Sequence, residues 1–215
     1  MQVGSVDEAK AAADAGVDVV MIQGVESGGH VKGTTSLSIV LPAVVEAVKP
    51  LPVIAAGGVA DGRSFAAALA AGAQAVSIGT RFLCSDESSA ARPYKERITR
   101  AKAEDTVHTL LFDVGWPNAT HRVLRNKAYD EWEKAGSPAT GSRPGENVPF
   151  AKMPFAGTSL EMPRYHIFMP LEGFEGDMEY AALYSGQSCS LVNDIKPAAE
   201  IVKDLVKGAE AALSK

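Results

Sequence analysis

The run VDEAKAAADAGVDVVMIQG, Val6 to Gly24, decides the fold. Its first ten residues, Val6 to Ala15, are alanine-rich with carboxylates at the start, which favours a helix whose positive N-terminal end is matched by negative charge. Gly16 stops that helix. Val17 to Gln23 is then a mainly apolar, largely β-branched run closed by Gly24, the pattern of a buried strand. The same unit recurs downstream. Leu37 to Val48 carries apolar residues at helical spacing, Pro50 and Pro52 end it, and Val53 to Ala56 is a second strand run closed by Gly57 and Gly58. Asp61 and Gly62 open a third helix, Arg63 to Ala71, which Gly72 ends before a third run, Ala75 to Ile78, stopped by Gly79. Gln2 and Val3 read as the tail of an earlier strand. Strands apolar on both faces and alternating with helices predict an α/β fold with a parallel sheet under helical cover, a pattern that doubly wound and barrel folds both satisfy.

Beyond about Glu87 the character changes. Eight prolines from Pro93 to Pro170 interrupt the chain and clear strand runs vanish, which predicts a second, mainly helical and loop-rich region. Its expected helices are Ala90 to Ala103 and Ala119 to Lys134, with Gly136 to Pro163 as a long irregular connection. Pro197 to Leu213 returns to an amphipathic helix whose apolar face includes Ile201, Val202, Leu205 and Val206, suited to the outer ring of a barrel. The expected organisation is residues 1–88, 89–180 and 181–215.

Composition excludes several classes. With 46% hydrophobic residues over 215 positions, the chain has the material for a sizeable core and is neither disordered nor a coiled coil. A net charge of -5 and a pI near 5.4 encode no general attraction to nucleic acid or to an anionic membrane, so any anion must be held locally. Cys84 and Cys189 lie far apart and make no metal or redox spacing, so no metal site is expected. No basic-then-apolar leader layout and no run of about 20 apolar residues occurs, and a soluble, cytoplasmic protein is expected.

The richest segment follows the first strand directly: Gln23-Gly24-Val25-Glu26-Ser27-Gly28-Gly29-His30. Adjacent glycines let backbone approach a ligand closely, and a loop histidine beside a cofactor is a natural general base. Gly-Gly-His alone equally describes a solvated surface loop. Two further segments, Ala55 to Gly62 and Ser77-Ile78-Gly79-Thr80-Arg81-Phe82, also follow strands. Their N–H groups, a helix start at Gly79 and Thr80 and the Thr80 hydroxyl can enclose a phosphate monoester without any basic surface. Glu26 either orients its loop or is merely solvated. His108, His121 and His166 show no metal-ligand pairing and read as structural or surface residues, although His166 sits where it could line a substrate mouth. Trp116 and Trp132 read as packing residues. Asn118-Ala119-Thr120 matches a glycosylation acceptor by accident, since no leader accompanies it.

Together the strings Val17 to Val31, Pro52 to Asp61 and Ala75 to Leu83 resemble the second half of the FMN-binding (β/α)8 barrel of the nitronate monooxygenases. Tyr184-Ser185-Gly186-Gln187-Ser188 and the helix after it are similar to that family's C-terminal return, and the intervening region resembles its second domain in Arg122 and Asn126, expected on a helix. The resemblance implies that Gln23 contacts the flavin or its ribityl chain, that Gly28 and Gly29 pass close to it, and that Gly57, Gly58, Ser77, Ile78, Gly79 and Thr80 cradle its phosphate. By the same analogy Gln187 reaches the flavin or merely caps its loop, and His30 is the catalytic base. The implied reaction is oxidation of alkyl nitronates or nitroalkanes by O2 to a carbonyl compound and nitrite, His30 removing the α-proton of a neutral nitroalkane. A (β/α)8 barrel runs to about 250 residues, whereas this chain begins near a fifth strand. A partial barrel, about the second half, with a second domain inserted before the final barrel helix is therefore expected, and a truncated chain with it. Two other functions fit the same motifs: a flavin-dependent enoyl-acyl-carrier reductase using NAD(P)H, and a non-catalytic half-barrel.

Overall fold

Each of the three helix–strand units folds where its stop signals fall. In the computed structural model, which describes residues 1–155 and 157–214, Ala156 and Lys215 lie outside the described residues. The chain opens with β1 (Gln2–Val3), α1 (Val6–Asp14) and β2 (Val20–Gln23), continues through α2 (Leu37–Ala47), and between them carries the short β3 (Gly29–His30). The next elements are β4 (Val53–Ala56), α3 (Gly62–Ala70), β5 (Ala75–Ser77) and the single turn α4 (Thr80–Leu83). Caps fix the helix starts. The Ser5 hydroxyl accepts the Glu8 N–H at 3.2 Å ahead of α1. Asp61 accepts the Ser64 N–H at 2.8 Å while the Ser64 hydroxyl accepts the Asp61 N–H at 3.1 Å, a reciprocal box at the start of α3.

The strands form one parallel sheet in the order β1-β2-β4-β5. Its register aligns Val3, Ile22, Ala55 and Val76 in one row, and Gln23, Ala56 and Ser77 in another. The first row, with Val20 and Val53, is packed beneath Leu41 and Val44 of α2 and Ala9 and Ala12 of α1. The opposite face is different from the expectation of strands apolar on both sides. There Met21 and Ile54 are half-buried, Gln2 and Ala75 are exposed, and the row ends in polar Gln23 and Ser77. Helices therefore cover one face only, and the other face becomes the floor of the site described below.

The second region is not mainly helical. It contains α5 (Arg92–Ile98), β6 (Thr106–Thr109), β7 (His121–Leu124), α6 (Lys127–Lys134), β8 (Pro149–Phe155), β9 (Thr158–Pro163) and β10 (Glu175–Gly176). Two three-stranded sheets result, β3-β7-β6 and β10-β8-β9. The expected helix over 119–134 divides because all four residues of β7 are buried and pair with β6 and β3, leaving α6 to begin only after Asn126, whose side chain accepts the Tyr129 N–H at 3.2 Å. Arg122 therefore sits on a strand and Asn126 at a helix cap, not on one helix. The expected helix over 90–103 is shorter, since it starts after Ala91 with Pro93 in its first turn and closes at Thr99. The span expected to be irregular, 136–163, holds the β8–β9 hairpin.

The terminal helix α7 (Ala198–Leu213) packs on α3. Its inner face is Ile201, Leu205 and Ala209, whereas Val202 and Val206, expected to share that face, are 49% and 44% exposed. The contact is close because Gly62 meets Gly208: a Cβ on Gly62 would lie 2.4 Å from the Gly208 backbone. Gly62→Ala is expected to cost about 1–3 kcal/mol through overpacking, read as a lower urea midpoint with an unchanged slope. The alanine helix preference, worth less than about 1 kcal/mol, offsets this little at the first helical position. An unchanged midpoint would show that α7 can shift freely.

Candidate active site

Where β2, β4 and β5 end, their open face and the loops that follow enclose a cavity of about 490 Å³. The floor is Gln2, Met21, Gln23, Ala56 and Ser77. Its walls come from Ser27-Gly28-Gly29, from Gly57, from Ile78-Gly79-Thr80 and from Tyr184. This volume lies within the range typical of small-molecule and cofactor pockets. Eight residues singled out in the sequence line it: Gln23, Gly28, Gly29, Gly57, Ser77, Ile78, Gly79 and Thr80. Gly58 and Gln187 do not. They line an adjoining hollow of about 280 Å³ with Val25, Glu26 and Ser36, and Ser188 belongs to both.

The loop after β2 is held by contacts distant in sequence. Ser27 is buried and its hydroxyl donates to the Ala56 carbonyl at 3.2 Å. Gly57, at φ +100°, lies so close that a Cβ there would sit 2.1 Å from the Ser27 hydroxyl. Gly28 touches the returning segment, since its Cβ would lie 2.3 Å from the Gly186 nitrogen. The Gly186 N–H donates to the Thr80 hydroxyl at 3.0 Å, and the Gln187 N–H donates to the Glu26 carbonyl at 2.9 Å. The Glu26 carboxylate accepts the Leu37 N–H at 3.0 and 3.1 Å, where Ser36 makes no side-chain cap, so this residue orients its loop against the start of α2. From the second region, the buried Arg122 donates to the Val25 carbonyl at 3.2 and 2.9 Å.

Gln23 turns its amide sideways. Its Nε2 donates to the His30 carbonyl at 2.9 Å and its Oε1 accepts the Lys32 N–H at 3.3 Å, which pins β3 beside the cavity. By contrast Gly29, at φ +75°, and Gly79 have no atom within 4 Å of where a Cβ would be, so both face open space.

His30 follows Gly29 and its ring lies outside the cavity lining, in an aromatic cluster at the edge. The imidazole stacks on Trp116 with centroids 4.3 Å apart and planes 28° apart. His121 stands 5.7 Å away and Tyr184, a cavity residue, 5.6 Å. The His30 Nε2 is buried with no hydrogen-bond partner, the only such side-chain atom among the described residues. Burial holds its pKa below the usual histidine value, so the ring is neutral at pH 7 and can accept a proton. His121 has no such freedom. Its Nδ1 bonds the Ala119 carbonyl at 2.9 Å, its Nε2 accepts the Phe112 N–H at 3.1 Å, and burial pushes it down to about 4. His166 accepts the Phe168 N–H and is likewise structural.

Ser27, Tyr184, Arg122 and Trp116 border the site although the sequence reading gave them no part in catalysis or cofactor binding. Tyr184 lay within the quoted Tyr-Ser-Gly-Gln string, whereas nothing near Trp116 marks it: the expected packing residue is 54% exposed and lies on the candidate base. Among the described residues no cluster of three metal-ligating side chains occurs, and no helix is long and apolar enough to cross a membrane.

A family model described as nitronate monooxygenase matches residues 1–208. The nitronate monooxygenase of Pseudomonas aeruginosa is 31% identical over 208 residues, covering 94% of this chain and 54% of that protein. Among solved structures, nitroalkane oxidase from Streptomyces ansochromogenes is 30% identical with a TM-score of 0.73, covering 99% of this chain and 57% of its own. FabK from Thermotoga maritima gives the same identity and TM-score, with 99% and 61% covered. The chain spans about half the length of the curated relatives it matches.

Proposed function

The chain belongs to the nitronate monooxygenase family, and we propose on that premise that its cavity holds FMN and serves the oxidation of alkyl nitronates and nitroalkanes by O2 to a carbonyl compound and nitrite. The observation that carries this reading is the buried, unpartnered His30 Nε2 beside a cavity walled by three glycine-bearing loops.

The residues fit the cofactor. Gly29 and Gly79 present backbone to open space where any side chain would intrude, and the first N–H groups of α4 have no intrahelical acceptor. Ser77, Ile78, Gly79 and Thr80, with Gly57 and Gly58, would hold the phosphate, Gln23, Gly28 and Gly29 would lie along the flavin, and Gln187 would close the far side. Bound there, the flavin supplies the electron acceptor that no side chain provides. His30 takes the α-proton of a neutral nitroalkane onto Nε2, the C–H electron pair staying on the substrate as the nitronate. The indole of Trp116 and the ring of Tyr184 lie against that imidazole.

The open sheet is read as the second half of a (β/α)8 barrel, residues 1–88, with 89–180 as a second unit and 181–215 as the return. This is supported by helices on one face, a polar-ended row on the other, and a first core cluster confined to that opening unit. The match to FabK keeps a second reading, an enoyl-acyl-carrier reductase using NAD(P)H. Oxidation of NAD(P)H by an enoyl thioester, without response to propyl nitronate, would favour it.

Gly79→Leu tests the cofactor site. The backbone there, φ -98°, accepts any residue and the side chain meets only the cavity, so the fold is expected to survive. An intruding side chain costing about 1–3 kcal/mol weakens FMN binding about 5- to 150-fold. Titration of flavin fluorescence, with circular dichroism as the folding control, reads it. Unchanged affinity would remove FMN from this cavity.

A further inference from the structure

We infer that Trp116 is the positioning residue of His30: its indole fixes the plane of the imidazole and seals Nε2 from water. The inference rests on the reading of His30 as the base.

A histidine base ordinarily has its ring oriented by a hydrogen bond at its other nitrogen. Here the backbone of His30 is secured, by Gln23 and by pairing with His121 on β7. What faces the imidazole itself is a set of rings: Trp116 on one face and His121 and Tyr184 at centroid distances of 5.7 and 5.6 Å. Stacking takes the part that hydrogen bonding usually plays. The indole is a cap rather than a core residue, since it is 54% exposed while covering the ring beneath it.

Its own placement is built. Trp116 follows Gly115, at φ +105°, and its N–H closes a turn on the Asp113 carbonyl at 3.0 Å. The root of that turn is tied by Val114 to Tyr165 and Ile167, and by Asp113 to Arg143 at 2.7 Å and Thr140 at 2.7 Å. Only the tip, carrying the indole, projects over His30.

The titratable groups facing the imidazole are His121, held down to about 4 by burial, and Tyr184, pushed up by burial; neither is charged at neutral pH. Asp113, at the root of the turn, is engaged by Arg143. Solvent exclusion, not a neighbouring charge, therefore sets the base, and the indole is the part of the enclosure that a single substitution removes.

The test is NMR titration of the His30 imidazole in the full chain, comparing wild type, Trp116→Ala and Trp116→Phe. The expected result is an upward shift of the His30 midpoint toward the ordinary histidine value in W116A, with W116F staying near wild type. In FMN-loaded protein, W116A is expected to lose up to about 100-fold in kcat for a neutral nitroalkane, the cost of a misplaced base, while preformed nitronate is spared. An unmoved midpoint in folded W116A overturns the proposal, and so does a W116F midpoint displaced as far as that of W116A. Should W116A not fold, W116L against W116F makes the same comparison. The titration needs no turnover, so a shifted midpoint together with equal loss on both substrates in a His30 variant would reject the assigned reaction and leave the Trp116 contact standing.

Discussion

His30→Asn is expected to lower kcat/KM for a neutral nitroalkane by about 100- to 10,000-fold, the usual worth of a positioned general base, while turnover of preformed nitronate stays within a few-fold of wild type. Asparagine approximates the imidazole in size but offers no nitrogen able to take a proton. A nitronate supplied as the anion has already lost the α-proton, so it bypasses the step that His30 performs. Oxygen consumption with each substrate in turn measures the difference. The pH profile adds a sign. Because burial holds His30 below the ordinary histidine value, the nitroalkane reaction keeps its base form as pH falls past that value and fails only at lower pH, and the limb is absent when nitronate is fed. Equal loss on both substrates would remove His30 from proton transfer.

Arg143→Met is expected to cost about 1.5–3 kcal/mol of stability, because it leaves the half-buried carboxylates of Asp113 and Glu146 without their charged partner. The guanidinium is 2% exposed and donates to the Leu111 carbonyl at 2.8 Å, to Asp113 at 2.7 Å and to Glu146 at 2.9 Å, while its carbon lies 4.5 Å from the Tyr165 ring centroid. Burial raises the Glu146 pKa, but Arg143 and the backbone N–H groups of Arg143 and Gly141 outweigh it and hold the carboxyl below its usual value. That contribution is present above the unfolded pKa and is lost as pH falls through the folded one. Urea unfolding at neutral pH reads the loss. Combining R143M with D113N and E146Q is expected to recover much of it, since no charge is then left unpaired. A neutral single variant would mean that water reaches these carboxylates. The same cluster roots the turn that carries Trp116, so R143M is also expected to loosen the cap on His30.

The order of helix and strand from Val6 to Ser77 was legible because its signals are local. Ser5 and Asp61 cap through atoms three residues away, Gly16 and Gly72 stop helices through their own left-handed backbone, and apolar runs such as Val20–Gln23 need only a covering layer. The three glycine-bearing loops were equally legible, since each follows its strand directly. Short runs were not. The four residues of β7 carry too little periodicity to separate strand from helix, and only pairing with β3 and β6 decides them. The same limit hid the β8–β9 hairpin.

The site shows the division most sharply. Glycines at 28, 29, 57 and 79, and the histidine after Gly29, were all visible as residue types suited to a ligand. Which glycines face the cavity was not. Gly28 and Gly57 are small because the Ser185–Gly186 segment and Ser27 press on them, whereas Gly29 and Gly79 open onto space. The sequence by itself determined the α/β order and the chemistry on offer at the strand ends, because backbone sterics and capping act within a few residues. Only the tertiary structure set Trp116 on His30, Arg122 on Val25 and Gly186 on Thr80, because those contacts join segments far apart along the chain and arise from docking, which no local pattern encodes.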